Sequence, residues 1–89
     1  MSLLTTSQKA DLRVAILDEL VAARSVAFPI ETIMRRVQRA KVLDFEFSQA
    51  EADRELDALV SLDLVKVHPD PVTTARNYQP TTKGIVTRS

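Results

Sequence analysis

The chain has 89 residues, no cysteine and one glycine, and its twelve basic and twelve acidic residues give a formal net charge of zero. This length fits a single small domain with a modest hydrophobic core. The absence of cysteine excludes a disulfide scaffold, a thiol nucleophile and a thiolate metal site. The balanced charge argues against a dedicated nucleic-acid binder without excluding one, because a local basic patch is what matters.

The apolar residues are mostly aliphatic, with only three phenylalanines and one tyrosine, so we expect a core of leucine, valine, isoleucine and alanine. The sequence shows no basic segment followed by a long apolar run and no stretch that resembles a membrane span. We therefore expect a soluble cytoplasmic protein.

The chain divides into three predicted parts. Residues 1–6 are expected to form a flexible N-terminal arm, residues 7–85 the folded domain, and residues 86–89 a C-terminal tail. Leu3 and Leu4 are apolar side chains in the arm, and they are candidates for packing on a partner.

A first helix is predicted from an N-cap at Ser7 to about Arg24. Arg13 lies among its apolar positions, and we expect the stem of this side chain to cover the edge of the core. The apolar arc predicts that this helix packs along the back of the hydrophobic core. Its members are Leu12, Val14, Ile16, Leu17, Leu20 and Val21, and the opposite arc carries Asp11, Asp18 and Glu19.

A second helix is predicted from about Ile30 to Ala40, after a short β-prone link at residues 25–28 that ends at Pro29. The helical spacing directs the apolar residues inward and three arginines outward. This outward arc is the one concentrated basic face that the sequence predicts. The inward residues are Ile30, Ile33, Met34 and Val37, and the outward arginines are Arg35, Arg36 and Arg39.

The connection at residues 41–47 is longer than a tight turn between two helices. It alternates apolar and acidic residues, as a strand does. We expect an extended loop whose aromatic side chains tuck under the third helix. Leu43 and Phe45 become interface candidates if either is exposed.

The third helix is the most clearly marked element of the sequence. Ser48 and Glu51 form a predicted capping box at its start, and Phe47 precedes the cap as in a hydrophobic staple. Asp63 stands where the chain leaves the helix, a position that glycine usually occupies. Aspartate can occupy it because aspartate tolerates the left-handed backbone conformation. The inward face is predicted to carry Ala52, Leu56, Leu59 and Val60.

Two strands are predicted after this helix, at Leu64–His68 and at Arg76–Gln79. Residues 69–71 have turn chemistry, and Pro80 ends the second strand. Residues 81–84 are expected to form a turn or a nascent helix. The predicted order is therefore helix, short strand, helix, helix, strand, strand.

The run from Leu56 to Ile85 resembles winged-helix transcription factors, in which a leucine-rich third helix precedes "G-L-V" and the second wing strand closes on "Y-x-L-T-x-x-G". The resemblance implies an α+β, mainly α, winged helix-turn-helix with three helices and a two- or three-stranded β-wing. The layout and the opening Met-Ser-Leu also resemble small winged-helix proteins of Mu-like phages and prophages, which implies a phage-related context. The matching residues are Leu64, Val65, Tyr78, Thr81 or Thr82, and Gly84, whereas Asp63 and Pro80 depart from the pattern.

The resemblance implies double-stranded DNA as a partner, with the third helix in the major groove. That helix presents mostly carboxylates, which would repel phosphates, so a conventional insertion is disfavoured. The acidic set is Glu51, Asp53 and Asp57, with Glu55 at its margin. The candidate nucleic-acid-binding residues are Arg35, Arg36, Arg39, Gln49, Arg54, Lys66, Arg76 and Asn77.

Two other interpretations of the charges stay open. The arginines of the second helix could form an ordinary solvated face or pair with the acidic residues of the third helix. The basic second helix and acidic third helix would also suit association between copies, so a homodimer or another protein partner is an alternative to DNA.

We expect no enzyme, no catalytic residue, no cofactor and no metal site. His68 is the only histidine, and a lone histidine on a strand is usually inert. The single glycine, Gly84, does not allow a glycine-rich phosphate loop. The leading hypothesis is a small DNA-binding regulator, and the alternative is a winged helix that binds protein.

Overall fold

In a computed structural model, which describes residues 3–88, the fold is α+β and mainly helical. Four helices accompany a two-stranded antiparallel sheet in that range, one helix more than the three expected from the sequence. The added helix forms where a turn or nascent helix was predicted. The elements are α1 Thr6–Ala22, α2 Ile30–Ala40, α3 Gln49–Ser61, β1 Val65–Pro69, β2 Arg76–Pro80 and α4 Thr82–Arg88.

Helix α1 begins two residues before the predicted start, because its N-cap is Thr5 and not Ser7. The Thr5 hydroxyl accepts a hydrogen bond from the Gln8 amide at 3.1 Å, and the Gln8 side chain accepts one from the Thr5 amide at 3.0 Å. Ser7 is followed three residues later by Ala10, which cannot complete a reciprocal capping box. The helix ends at Ala22, two residues before the predicted end.

Helix α3 has the start and the end that the sequence predicts. The Ser48 hydroxyl accepts from the Glu51 amide at 3.2 Å, and the Glu51 carboxylate accepts from the Ser48 amide at 2.9 Å. Asp63 adopts the left-handed conformation, with φ of 62°. The amides of Asp63 and Leu64 then donate back to the carbonyls of Val60 and Leu59, each at 3.0 Å. These two bonds form a Schellman motif, which satisfies carbonyls that the helix end leaves free.

The hairpin of β1 and β2 pairs Val65 with Pro80 at its base and Pro69 with Arg76 near its tip. The predicted strand at residues 25–28 is reduced to a single bridge, in which the amides of Phe28 and Tyr78 each donate to the other's carbonyl, at 2.9 and 2.8 Å. This bridge ties the α1–α2 connection to the hairpin.

Helix α4 is fixed against the end of α3 by hydrogen bonds. The Thr81 hydroxyl donates to the Asp63 carbonyl at 2.6 Å and accepts from the Gly84 amide at 3.0 Å, and Lys83 Nζ donates to the Leu62 carbonyl at 3.1 Å. A Cβ at Gly84 would collide with the carbonyl oxygen of Leu64, so this close approach requires glycine. Residues 86–88, predicted as tail, lie in α4.

The core lies where α1, α2 and α3 meet the inner face of the hairpin. It is largely aliphatic, as expected, with Tyr78 as its one fully buried aromatic residue among those described. Val14, which the spacing assigns to the apolar arc of α1, is 42% exposed. Within residues 3–88, none of the helices has the length and apolar character needed to cross a membrane. The buried apolar residues are Leu12, Ala15, Ile16, Leu17, Leu20, Ile33, Val37, Ala52, Leu56, Leu59, Val65 and Tyr78.

Candidate nucleic-acid interface

The three arginines of α2 do not share one surface. Arg35 and Arg39 are exposed and lie one helical turn apart on the side of α2 opposite the buried Ile33 and Val37. Neither makes an ion pair within the part of the chain that the structure describes. They are therefore available to a ligand without breaking an internal contact.

Arg36 is instead directed at α1, contrary to its predicted place on the outward arc. Its Nε lies 3.4 Å from Oε1 of Glu19, within ion-pair distance but without the geometry of a hydrogen bond. The guanidinium also lies over the ring of Phe28, with Cζ 4.9 Å from the ring centroid, a cation–π arrangement. Arg36 is rotated about the helix axis by about 100° from Arg35 and about 60° from Arg39, so its side chain packs on the protein while theirs are solvated.

The acidic residues of α3 also fall into a packed group and an exposed group. Glu55, predicted at the margin of the outward face, is 6% exposed and points to α1. Its Oε1 accepts from Nε of Arg13 at 3.0 Å and lies 2.9 Å from Nη2 of the same guanidinium. Arg13 therefore has a buried partner as well as the predicted position at the core edge. Because Glu55 is neutralised inside the fold, it cannot repel a phosphate.

The exposed face of α3 consists of Asp53, Arg54 and Asp57, with Gln49 exposed at the start of the helix. Glu51 is half-buried and serves the capping box. The outward charge of α3 is thus smaller than the sequence predicts, yet two carboxylates still stand beside one guanidinium. A helix with this face is poorly suited to close contact with phosphates.

A cleft between the start of α2, the middle of α3 and β2 is lined by both signs of charge. Glu31, Asp53 and Arg76 line it together with Tyr78, whose side chain is buried. Desolvation raises the pKa of the Tyr78 hydroxyl above 10.0, a hydrogen-bonding interaction with Arg76 opposes this, and the negative charges of Asp53 and Asp57 add to the rise. Arg76 is exposed and makes no ion pair within residues 3–88, although it shares this cleft with two carboxylates.

The remaining candidates on the hairpin lie on its other face. The register pairs Lys66 with Gln79 and His68 with Asn77, and these pairs alternate with the core-facing pair of Val67 and Tyr78. His68 Nε2 lies 2.9 Å from Oε1 of Gln79, whose Nε2 donates to the carbonyl of Arg24 at 2.8 Å. Lys66 and Asn77 consequently lie on the face of the hairpin that contacts the residues after α1, and Arg76 lies on the opposite face.

The hairpin tip is organised by one carboxylate. Oδ1 of Asp70 accepts from the amides of Val72 and Thr73 at 2.8 and 3.2 Å. These two backbone hydrogen bonds, in that order, hold the pKa of Asp70 below its ordinary value of 3.8, against a smaller effect of desolvation. Thr74 closes the turn in the left-handed conformation, with φ of 59°.

The predicted interface residues have mixed positions. Leu43 and Phe45 are half-buried and pack against the core, as does Leu4, whereas Leu3 is 92% exposed. Val42 is 67% exposed and was not among the predicted residues. A signal for it exists in the sequence, because the alternation that turns Leu43 and Phe45 inward turns residue 42 outward.

No group of three or more histidine, aspartate or glutamate side chains in residues 3–88 is arranged to hold a metal ion. Comparisons with known proteins give no match: no family model, no curated protein and no solved structure is significantly similar to this chain.

Proposed function

We propose that this chain is a non-enzymatic winged-helix module that binds double-stranded DNA, as a small regulator of the phage-related type does. Support for the fold comes from the order of the elements, in which a three-helix unit is followed directly by an antiparallel hairpin. In a winged helix the hairpin is the wing, and α2 and α3 are the helices that face the duplex. The binding proposal is argued from the charged side chains.

The observation that carries the proposal is the pair Arg35 and Arg39. Both are exposed, both are free of internal ion pairs in the described chain, and their spacing of one turn places two guanidinium groups on one face. Arginine binds phosphate through two parallel N–H donors, which makes such a pair suited to a nucleic-acid backbone. The helix before the recognition helix is the one that crosses the backbone in this class of fold.

The proposed mode is backbone binding, with little reading of base edges by α3. Asp53 and Asp57 keep that helix from a close approach to the phosphates, and Arg54 and Gln49 are the side chains left for base contacts. Affinity should therefore depend strongly on salt and weakly on sequence. Arg36 contributes to the fold and not to the phosphate contacts.

Fluorescence anisotropy with a random duplex, across a salt series, tests this proposal. The wild type should bind at low salt with an affinity that falls steeply as salt rises, and Arg35→Ala/Arg39→Ala should reduce the salt slope by about 1 per residue. Lys9→Ala/Arg24→Ala is the matched control, since it changes the net charge equally on α1 and at its end. No binding at low salt, or equal losses in the two double variants, would refute the proposal.

A second candidate function is protein binding, and the acidic face of α3 favours it. Asp53 and Asp57 on one molecule could meet Arg35 and Arg39 on a second, as in a homodimer. Light scattering on the same samples separates the two functions. A dimer that dissociates in both Arg35→Ala/Arg39→Ala and Asp53→Asn/Asp57→Asn, together with an absence of DNA binding, would favour this second function.

A further inference from the structure

A groove between α1 and the α2–α3 loop combines exposed apolar side chains with an acidic rim. It encloses about 380 Å³. Val42 and Val14 are 67% and 42% exposed on its walls, and Phe45 is half-buried within it. We call this surface the acidic groove and define it by Asp11, Val14, Asp18, Val42, Asp44 and Phe45, which all line it. Arg35 does not line this groove, whereas Arg39 lines a neighbouring depression with Glu19 and Arg36.

The charge of the groove is only partly compensated inside the fold. Arg88 binds Asp18 with two hydrogen bonds of 2.6 and 3.0 Å, and Arg36 lies beside Glu19 at the groove's edge. Asp11 and Asp44 are exposed and have no hydrogen-bond or ion-pair partner within residues 3–88. Two carboxylates without an internal partner therefore flank an exposed apolar surface, whose hydration is unfavourable in free energy.

This combination selects one class of occupant. Phosphate-bearing ligands, whether nucleic acid or an anionic lipid surface, would meet carboxylates. A second copy placed groove to groove would oppose Asp11 and Asp44 to their own copies, and like charges at close range disfavour that pairing. An occupant with apolar side chains flanked by cations satisfies both parts of the surface.

We infer that the acidic groove binds a basic amphipathic helix from another protein, with its apolar side chains on Val14, Val42 and Phe45 and its lysines or arginines at Asp11 and Asp44. Asp11, Val14 and Asp18 follow one stripe of α1 over seven residues, roughly 10 Å at the helical rise, which matches about two turns of a bound helix. The inference is independent of DNA binding and leaves the arginines of α2 free.

The test is an NMR titration of the full, ¹⁵N-labelled chain with a synthetic 14-residue peptide of leucine and lysine, whose leucines follow a helical spacing. The expected result is a Kd on the order of 10–100 µM, with the largest amide shifts at residues 11–18 and 42–45. A glutamate version of the peptide, and one with strictly alternating leucine and lysine, should bind at least tenfold more weakly. A Kd weaker than about 1 mM, or shifts centred on α3, would overturn the inference.

Two pairs of matched variants make the titration specific. Asp11→Asn/Asp44→Asn should weaken binding about fivefold, while Asp53→Asn/Asp57→Asn, with the same change in net charge, should leave it unchanged. Val14→Ser/Val42→Ser should weaken it about tenfold, and Val26→Ser/Val72→Ser, which alters exposed valines elsewhere, should not. Equal effects within either pair of variants would overturn the inference. Arg35→Ala/Arg39→Ala should weaken binding of the duplex and reduce its salt slope, and it should not weaken binding of the peptide.

Discussion

Helix α2 carries arginines, and helix α3 carries carboxylates, on two sides of the helix. On each helix one side pairs with α1 and the other is exposed to solvent. Arg36 and Glu55 point to α1, where Glu19 and Arg13 neutralise them. The other side of each helix presents its charges to solvent. The charged residues counted from the sequence therefore exceed those that a partner would contact, because Arg36 and Glu55 form ion pairs between helices inside the fold. Four changes test this division between structural and free charges. The free set is Arg35, Arg39, Asp53, Arg54 and Asp57.

The largest effect is expected at the buried pair. Arg13→Ala leaves the Glu55 carboxylate buried without its partner, and we expect a loss of about 1–3 kcal/mol, below the full range for buried pairs because Arg13 is 38% exposed. In a domain of this size each kcal/mol lowers Tm by about 4–8 °C. The double variant Arg13→Met/Glu55→Met should recover most of the loss, because no unpaired charge remains. Thermal unfolding of both proteins decides this, and a double variant as unstable as the single would contradict the prediction.

A smaller difference separates neighbouring arginines of α2. Arg36→Ala removes a cation–π contact, an ion pair and a packed stem, and should destabilise by about 1 kcal/mol. Arg35→Ala, at an exposed site, should change stability by less than about 0.5 kcal/mol. Chemical denaturation measures both variants, and the duplex assay should show the reverse order, with the loss at Arg35. If the two variants lose equal stability, the division of the arginines is wrong.

Neutralising the free carboxylates should affect binding and not folding. Asp53→Asn/Asp57→Asn should leave stability within about 0.5 kcal/mol of wild type, because both side chains are exposed. If α3 faces a duplex, removing two screened repulsions should raise DNA affinity about fivefold at low salt. Unchanged affinity would place α3 away from the DNA. Asp11→Asn/Asp44→Asn provides the control for net charge.

The smallest expected effect is local to the hairpin tip. The pKa of Asp70 is lowered in the fold, so the stability that its carboxylate gives to the tip is complete above the unfolded pKa and is lost as pH falls through the folded pKa. The amide shifts of Val72 and Thr73 should titrate with a midpoint below 3.8. Asp70→Asn keeps an acceptor oxygen but does not titrate, so its shifts should stay constant. A wild-type midpoint at or above 3.8 would contradict the assignment.

The sequence predicts those features whose partners are close along the chain. The capping box of Ser48 and Glu51 and the left-handed Asp63 are local, and both are confirmed. At the start of α1 the N-cap preference for serine indicates the wrong residue, because Gln8 completes a capping box with Thr5 and not with Ser7. The predicted helix α2 and the positions of both hairpin strands are also close to those observed.

Features that depend on distant partners were missed. Glu55 lies 42 residues from Arg13, and the spacing of residues in α3 does not indicate that Glu55 pairs with an arginine of the first helix. The fourth helix also depends on a distant contact, because Gly84 and Thr81 dock on carbonyls at the end of α3. The side of the hairpin on which Lys66 and Arg76 lie was set by the register, which a sequence without a fixed turn does not give.

The contact between Asp18 and Arg88 joins residues 70 apart, so the first and last helices of the described chain are neighbours in space. During synthesis α1 leaves the ribosome long before α4 exists, and at 5–20 residues per second the interval is on the order of several seconds. Throughout that interval the flank of α1 that receives α4 is uncovered. The domain is therefore expected to complete its fold only after α4 has emerged, when the junction around Thr81 and Gly84 can close.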